Sequence, residues 1–299
     1  MQIVDIRTAH IESPTALALG YFDSFHLGHQ KLLDNVLGSR YTPAMFTFSG
    51  NLYAALGLPR LPLYSEAYRM RVAEQCGLEY VLTLPADRTH IEMSADDFLE
   101  TLLHADPALI VCGEDFRYGR GAIGGISRLE RFCLANHIRL HVQPTVFSPS
   151  GKKISSNSIA EMVAKGYVTS ANAMLGRCYM VEGVVEHGRG VGADIGYPTA
   201  NFPLDLNLQA PCEGVYVAYV RIDGKQYRAL CNVGAHPTVG DMRKNVETYV
   251  LGYRGDLYGR TLQVYLRKYI RPVKKFATVN DLAKQIAKDV MVVRRTGDT

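Results

Sequence analysis

The strongest constraint on the fold of this 299-residue chain is a change of hydrophobic period part-way along it. Strand-like apolar runs at 15–20, 44–48, 80–84 and 108–112 alternate with helical spacing at 28–37, 65–75 and 96–103. Strands separated by helices predict a parallel sheet covered on both faces. Near 154 the pattern shifts. ISSNSIAEMVAKG offers Ser155 or Ser156 as helix caps, Ile159, Met162 and Val163 on one face, and Gly166 as a stop. A short helix over 168–175 follows, and beyond it the chain is strand-rich. VYVAYVRIDGKQYRALCNV reads as two strands joined by Asp223-Gly224, a short hairpin signal. Further strands are expected at 246–253 and 262–266. A closing helix from about 280 carries Leu282, Ile286, Val290 and Val293 at helical spacing. Short antiparallel strands with one terminal helix predict a small barrel. The expectation is two domains, 1–180 and 181–299.

Length alone favours two domains, and 47% hydrophobic with 21% charged residues lets each bury a core. A net charge of +4, with no basic stripe interleaved with aromatics, argues against nucleic acid as partner and suits anionic small substrates. The six cysteines include no C-x-x-C pair, which predicts buried free thiols in a reducing compartment. The N-terminus does not read as a signal peptide, and no apolar run approaches bilayer length. These features predict a soluble cytoplasmic protein.

GYFDSFHLGHQ places His26 and His29 where a strand ends and a helix begins. Gly20 closes the strand and Gly28 permits close approach of the backbone. A helix N-terminus has unpaired N–H groups and a partial positive charge, so it attracts anions. Two imidazoles on the first turn can donate to the same phosphate, which suits nucleotidyl transfer. Two other readings stay open at this point: a metal site with Asp23, which needs further ligands, and local capping of the helix.

HGRGVGADIGYPTANF is the more telling segment. Gly188, Gly190 and Gly192 allow unusual backbone conformations and could wrap phosphate oxygens. They run into Tyr197-Pro198-Thr199-Ala200-Asn201. Pro198 fixes the backbone and presents the Thr199 hydroxyl and Asn201 carbonyl as neutral oxygen ligands, suited to Mg²⁺ held jointly with nucleotide phosphates.

H-x-G-H after a strand, with Phe22-Asp23 before it and Ser155-Ser156 opening a later helix, resembles the Rossmann-like nucleotidyltransferases. GEDFRYGRG at 113–121 resembles the G-x-D-F-x-F-G loop of FMN adenylyltransferases, which implies flavin contacts by Asp115, Phe116 and Tyr118. GYPTAN resembles the riboflavin kinase motif, and GVYVAYV, NVGAHPTVG, VETYVLGYRGDLYG and LRKYIRPVKKF follow in family order. The whole chain therefore resembles the prokaryotic bifunctional FAD synthetases. That resemblance implies riboflavin plus ATP giving FMN, then FMN plus ATP giving FAD and pyrophosphate, both with Mg²⁺. It makes Glu247 the kinase base, Thr199 and Asn201 the metal ligands, and His26 and His29 the adenylyl-transfer residues. It assigns nucleotide binding to Gly20, Phe22, Asp23, Gly28, Ser155, Ser156, Gly188, Gly190, Gly192, Pro198 and Thr199. The chain departs from the family pattern at Ser49-Gly50-Asn51-Leu52, where D-P-H-P is common, and at Asn157-Ser158, where T-R is common. In the kinase half Ala193, His236, Tyr249 and Val273 depart. The alternatives are a kinase whose first half only binds nucleotide or flavin, and a flavin sensor with neither activity. A pure binder has no need of a base at Glu247.

Overall fold

TALAL, the run at Thr15–Leu19, is buried at every position, as a central strand of a two-sided sheet requires. Leu17 and Leu19 enter the core on one face, and the small Ala16 and Ala18 enter the core on the other. The computed structural model describes residues 1–188, 191–235 and 244–297. Their contacts divide the chain into Met1–Ser156 and Asn157–Thr299.

In the first unit the strands are β1 (Gln2–Asp5), β2 (Thr15–Leu19), β3 (Thr42–Ser49), β4 (Tyr80–Pro85), β5 (Pro107–Gly113) and β6 (Arg139–Gln143). They pair in parallel in the order β1-β4-β3-β2-β5-β6. The Leu27–Leu37 helix buries Leu32, Leu33 and Val36 over Ala16 and Ala18. The Ala95–Leu102 helix buries Phe98, Leu99 and Leu102 on the opposite face. The expected Rossmann-like architecture is present. Strands β1 and β6 and the Ile126–Ala135 helix were not anticipated. They are outer elements: β6 reads RLHVQ and is nowhere fully buried, so its apolar period is faint.

The second unit opens with helices Ser156–Ala164 and Val168–Leu175, the first of them starting at the unit boundary. Six strands follow: β7 (Tyr179–Val184), β8 (Thr199–Pro203), β9 (Gly214–Ile222), β10 (Lys225–Ala235), β11 (Lys244–Val250) and β12 (Thr261–Arg271). They pair antiparallel in the order β7-β12-β9-β10-β11-β8. The sheet curls, and a bridge with Glu186 N–H donating to Asn201 O at 2.8 Å ties its two edges. At the β9–β10 turn Asp223 (φ 51°) and Gly224 (φ 76°) are both left-handed, as the tightest hairpin turn demands. The Val279–Arg295 helix packs Val290 and Val293 against Val215 and Val217 of β9.

The sequence places the domain boundary near 180, whereas contacts divide the chain at Ser156. Asn172 accounts for part of this difference. It donates to Leu266 O at 2.9 Å and accepts from Tyr179 N at 2.7 Å, seating the Val168–Leu175 helix on β12 and β7. No helix among the described residues is long and apolar enough to cross a membrane.

Candidate active sites

The ends of β2, β5 and β6 open into a hollow of about 170 Å³, lined by His26, His29, Gly28, Asp115, Phe116 and Ser155 among others. His26 is the N-cap of the Leu27–Leu37 helix: its Nδ1 accepts from His29 N at 3.1 Å. Capping therefore operates here, and it also sets the tautomer. An acceptor Nδ1 leaves the ring hydrogen of a neutral imidazole on Nε2, where it can be donated. The two imidazoles stack at 3.7 Å and 9°, with Phe22 5.0 Å from His29. Gly28 is required by space: a Cβ there would stand 3.0 Å from His26 Cε1. Gly20 is similarly close to the Phe22 ring, at 3.1 Å.

Other residues predicted for this site stand behind it. Phe22 is fully buried, with a left-handed backbone at φ 50°. Asp23, 1% exposed, does not line the hollow. Its carboxylate accepts from Leu63 N at 2.9 Å and Tyr53 OH at 3.0 Å, with Arg60 at 3.5 Å. Burial raises its pKa against those partners. Asp23 thus braces the 53–63 segment. Ser156 meets Ser24 Oγ at 3.1 Å, and Ser155 is the serine of the pair that lines the hollow. Tyr118 packs between Phe98 and Phe116, and burial pushes its phenol up to about 12. Asp115 and Phe116 line the cavity, and Lys153 pairs with Asp115 at 2.5 Å. The divergent 49–52 segment caps a short helix: Asn51 accepts from Ala54 N, and Tyr21 OH donates to Gly50 O at 2.9 Å.

In the barrel, strand pairing does what sequence spacing cannot. Asn201 on β8 stands opposite Glu247 on β11, and Glu247 stands opposite Asn232 on β10. Thr199 faces Tyr249 one pleat along. Thr199, Asn201, Asn232, Glu247 and Tyr249 all line a hollow of about 310 Å³. Asn201 and Glu247 also line a second hollow of about 50 Å³ with Gly188 and His187, so they form the wall between two spaces. Asn201 Nδ2 donates to Thr199 O at 3.1 Å and Oγ1 at 3.3 Å, so the amide is held through its nitrogen. Gly188 is dictated by contact: a Cβ would lie 2.5 Å from Asn201 Nδ2. Gly192 lines the larger hollow, where a Cβ would meet Tyr197 O at 2.4 Å. Pro198 is exposed and enters β8. Gly190 and His236 lie outside the described residues.

Two features of this site were missed. Asn232 becomes visible only once the hairpin register is set. Arg271 at the end of β12 forms a buried pair with Asp289 of the terminal helix, Nη2 to Oδ2 at 2.7 Å and Nε at 3.0 Å. Gln285 adds a bond to Asp289 Oδ1 at 2.9 Å. The pair fixes the helix whose Leu282 and Ile286 form an apolar wall of the larger hollow.

A parallel α/β unit with histidines at its strand ends, joined to an antiparallel barrel in which Thr199, Asn201 and Glu247 line one hollow, has the make-up of a two-centre transferase. A family model described as FAD synthetase matches residues 8–158, and one described as riboflavin kinase matches residues 175–296. The bifunctional riboflavin kinase/FMN adenylyltransferase of Escherichia coli K12 is 33% identical over 289 residues, covering 93% of this chain and 91% of its own. Its Bacillus subtilis counterpart is 28% identical over 305 residues, covering 95% of this chain and 96% of its own. A solved structure from Streptococcus pneumoniae, described as a macrolide-efflux protein, matches with a TM-score of 0.89 and 28% identity over 98% of each chain. The chain belongs to the bifunctional riboflavin kinase/FMN adenylyltransferase family. It is an enzyme of FAD biosynthesis that uses flavins and ATP.

Proposed function

We propose that the two reactions divide between the two units, with adenylyl transfer in the unit ending at Ser156 and kinase chemistry in the barrel. The observation that carries the kinase assignment is the pairing of Asn201 with Glu247 on one wall. Glu247 takes the proton of the riboflavin 5′-hydroxyl as that oxygen attacks the γ-phosphorus of ATP, and ADP leaves. Phosphoryl transfer asks mainly for positioning, charge neutralisation and a directed base. Thr199 Oγ1 and Asn201 Oδ1 fit Mg²⁺, which keeps few protein ligands and shares the nucleotide phosphates. Bound there, Mg²⁺ would neutralise phosphate charge. No cluster of three His, Cys, Asp or Glu side chains suited to a metal occurs among the described residues, which fits a cation held largely by its nucleotide.

In the first unit, FMN phosphate oxygen attacks the α-phosphorus of a second ATP and pyrophosphate leaves. His26 Nε2–H and the His29 ring donate to the phosphates, with the helix N-terminus behind them. Ser155 closes the same hollow, while Asp115 and Phe116 supply its flavin side. Phe22, Asp23, Ser156 and Tyr118 hold these groups in place. Both reactions suit the cytoplasm. Both family matches favour the two-step enzyme over a kinase with an inert first half.

The test is a time course with purified protein, riboflavin, ATP and Mg²⁺. FMN should rise first and FAD should follow with pyrophosphate. FMN accumulating without FAD would remove the adenylyltransferase, and no FMN would remove the kinase.

A further inference from the structure

We propose that Lys153 binds a phosphate oxygen of ATP or of FMN in exchange for its present partner, Asp115, a role that rests on adenylyl transfer occurring in the first unit. Lys153 lines the histidine hollow two residues before Ser155. Among the described residues that line this hollow it is the one Lys or Arg. The segment after Ser155 adds none, since the Ser156–Ala164 helix reads SNSIAEMVA.

Adenylyl transfer brings the phosphates of both substrates into one space and releases pyrophosphate, so negative charge gathers there. His26 offers a hydrogen bond but no charge in this geometry, because its Nδ1 accepts from His29 N at 3.1 Å. Two carboxylates, Glu114 and Asp115, also line the hollow and oppose an anion. Thr145 donates to Glu114 through its hydroxyl and its backbone N–H, which lowers the pKa of that carboxyl and keeps it ionised. Lys153 Nζ stands 2.5 Å from Asp115 Oδ2. Positive charge for the phosphates therefore falls to Lys153 and the helix N-terminus. The attachment of Lys153 suits an exchange of partners. Its backbone is held in a hairpin: Phe147 and Lys153 form an antiparallel bridge, and Ile154 N–H donates to Val146 O at 2.9 Å. Its ammonium is a compact charge on a flexible four-carbon stem. The Lys153 and Asp115 side chains are 46% and 62% exposed, and an ion pair that open to solvent is weak. A phosphate monoester carries more negative charge than one carboxylate, so it wins the ammonium.

The test measures FAD formation from supplied FMN and ATP by the intact chain, with each substrate varied in turn. Lys153→Gln should lower kcat/KM by about 10- to 10²-fold, less than a fully enclosed donor would cost because the side chain is partly solvated. Lys153→Arg keeps the charge and should recover most of the rate. Thermal unfolding and riboflavin phosphorylation should not change in either variant. A raised KM for ATP would place the ammonium on ATP, a raised KM for FMN would place it on the FMN phosphate, and a fall in kcat alone on the phosphate being transferred; all three support the proposal. In an Asp115→Asn background Lys153→Gln should still cost about tenfold or more, because the phosphate contact is lost whether or not Asp115 is charged. Unchanged kcat/KM in Lys153→Gln, no recovery with arginine, or a loss that vanishes in the Asp115→Asn background would overturn it. His29→Ala separates the two levels: if it slows FAD formation while Lys153→Gln does not, only the role of Lys153 fails. If His29→Ala leaves FAD formation intact, adenylyl transfer does not occur in this hollow and both fail.

Discussion

Gly188→Ala should disable the kinase while sparing adenylyl transfer. The new Cβ would lie 2.5 Å from Asn201 Nδ2 and 3.0 Å from Cγ, whereas ordinary contact begins at 3.4 Å. The shortfall at the nitrogen is about 0.9 Å (3.4 − 2.5). Asn201 cannot absorb it quietly, because its amide is held by Thr199 and its backbone oxygen accepts from Glu186 N. A displacement of about 1 Å in a positioning group costs about 10²-fold in rate, or about 2.7 kcal/mol of transition-state stabilisation. FMN formation from riboflavin, followed by chromatography across a Mg²⁺ titration, should fall by that order. FAD formation from supplied FMN should hold. In an Asn201→Ala background the same substitution should add little, because the atoms it strikes are gone. Wild-type FMN formation in Gly188→Ala, or an undiminished effect in the Asn201→Ala background, would refute the steric account.

Glu247→Gln should retain flavin and Mg-ATP binding yet lose most FMN formation, measured as single-turnover rate beside binding by calorimetry. Asn201→Ala should raise the Mg²⁺ concentration needed for half-maximal kinase rate before thermal stability drops; an unchanged requirement would show that Oδ1 is not a ligand. His29→Ala should weaken ATP binding by the first unit and slow FAD formation from FMN by about 10²–10³-fold, while riboflavin phosphorylation continues. Asp289→Ala strands a buried Arg271 (side chains 3% and 14% exposed) and should cost about 3–5 kcal/mol in chemical denaturation of the barrel; a loss below 1 kcal/mol by order of magnitude would mark the pair as solvated.

Much of the architecture was present in local signals. Alternating strand and helix periods announced a parallel sheet, and Asp223-Gly224 announced a hairpin, because period and turn chemistry are properties of neighbouring residues. The motif order around His26, Thr199 and Glu247 likewise pointed to the two chemistries. Side-chain direction was not local. Asp23 sits among site residues in the sequence, yet a left-handed Phe22 precedes it and its carboxylate serves Tyr53 and Leu63 in the interior. Asn201, Asn232 and Glu247 share a wall only because β8, β11 and β10 are neighbours, an order set by how the sheet curls. Gly188 looked like conformational freedom and is a steric necessity, since the atom it would strike belongs to another strand. By sequence the helices after Ser155 fall at the end of the first domain, 1–180; by contacts they group with the barrel, where Asn172 bonds to β12 and β7. Sequence period determined which elements form; strand order and register, fixed by burial across the whole sheet, decided which side chains meet.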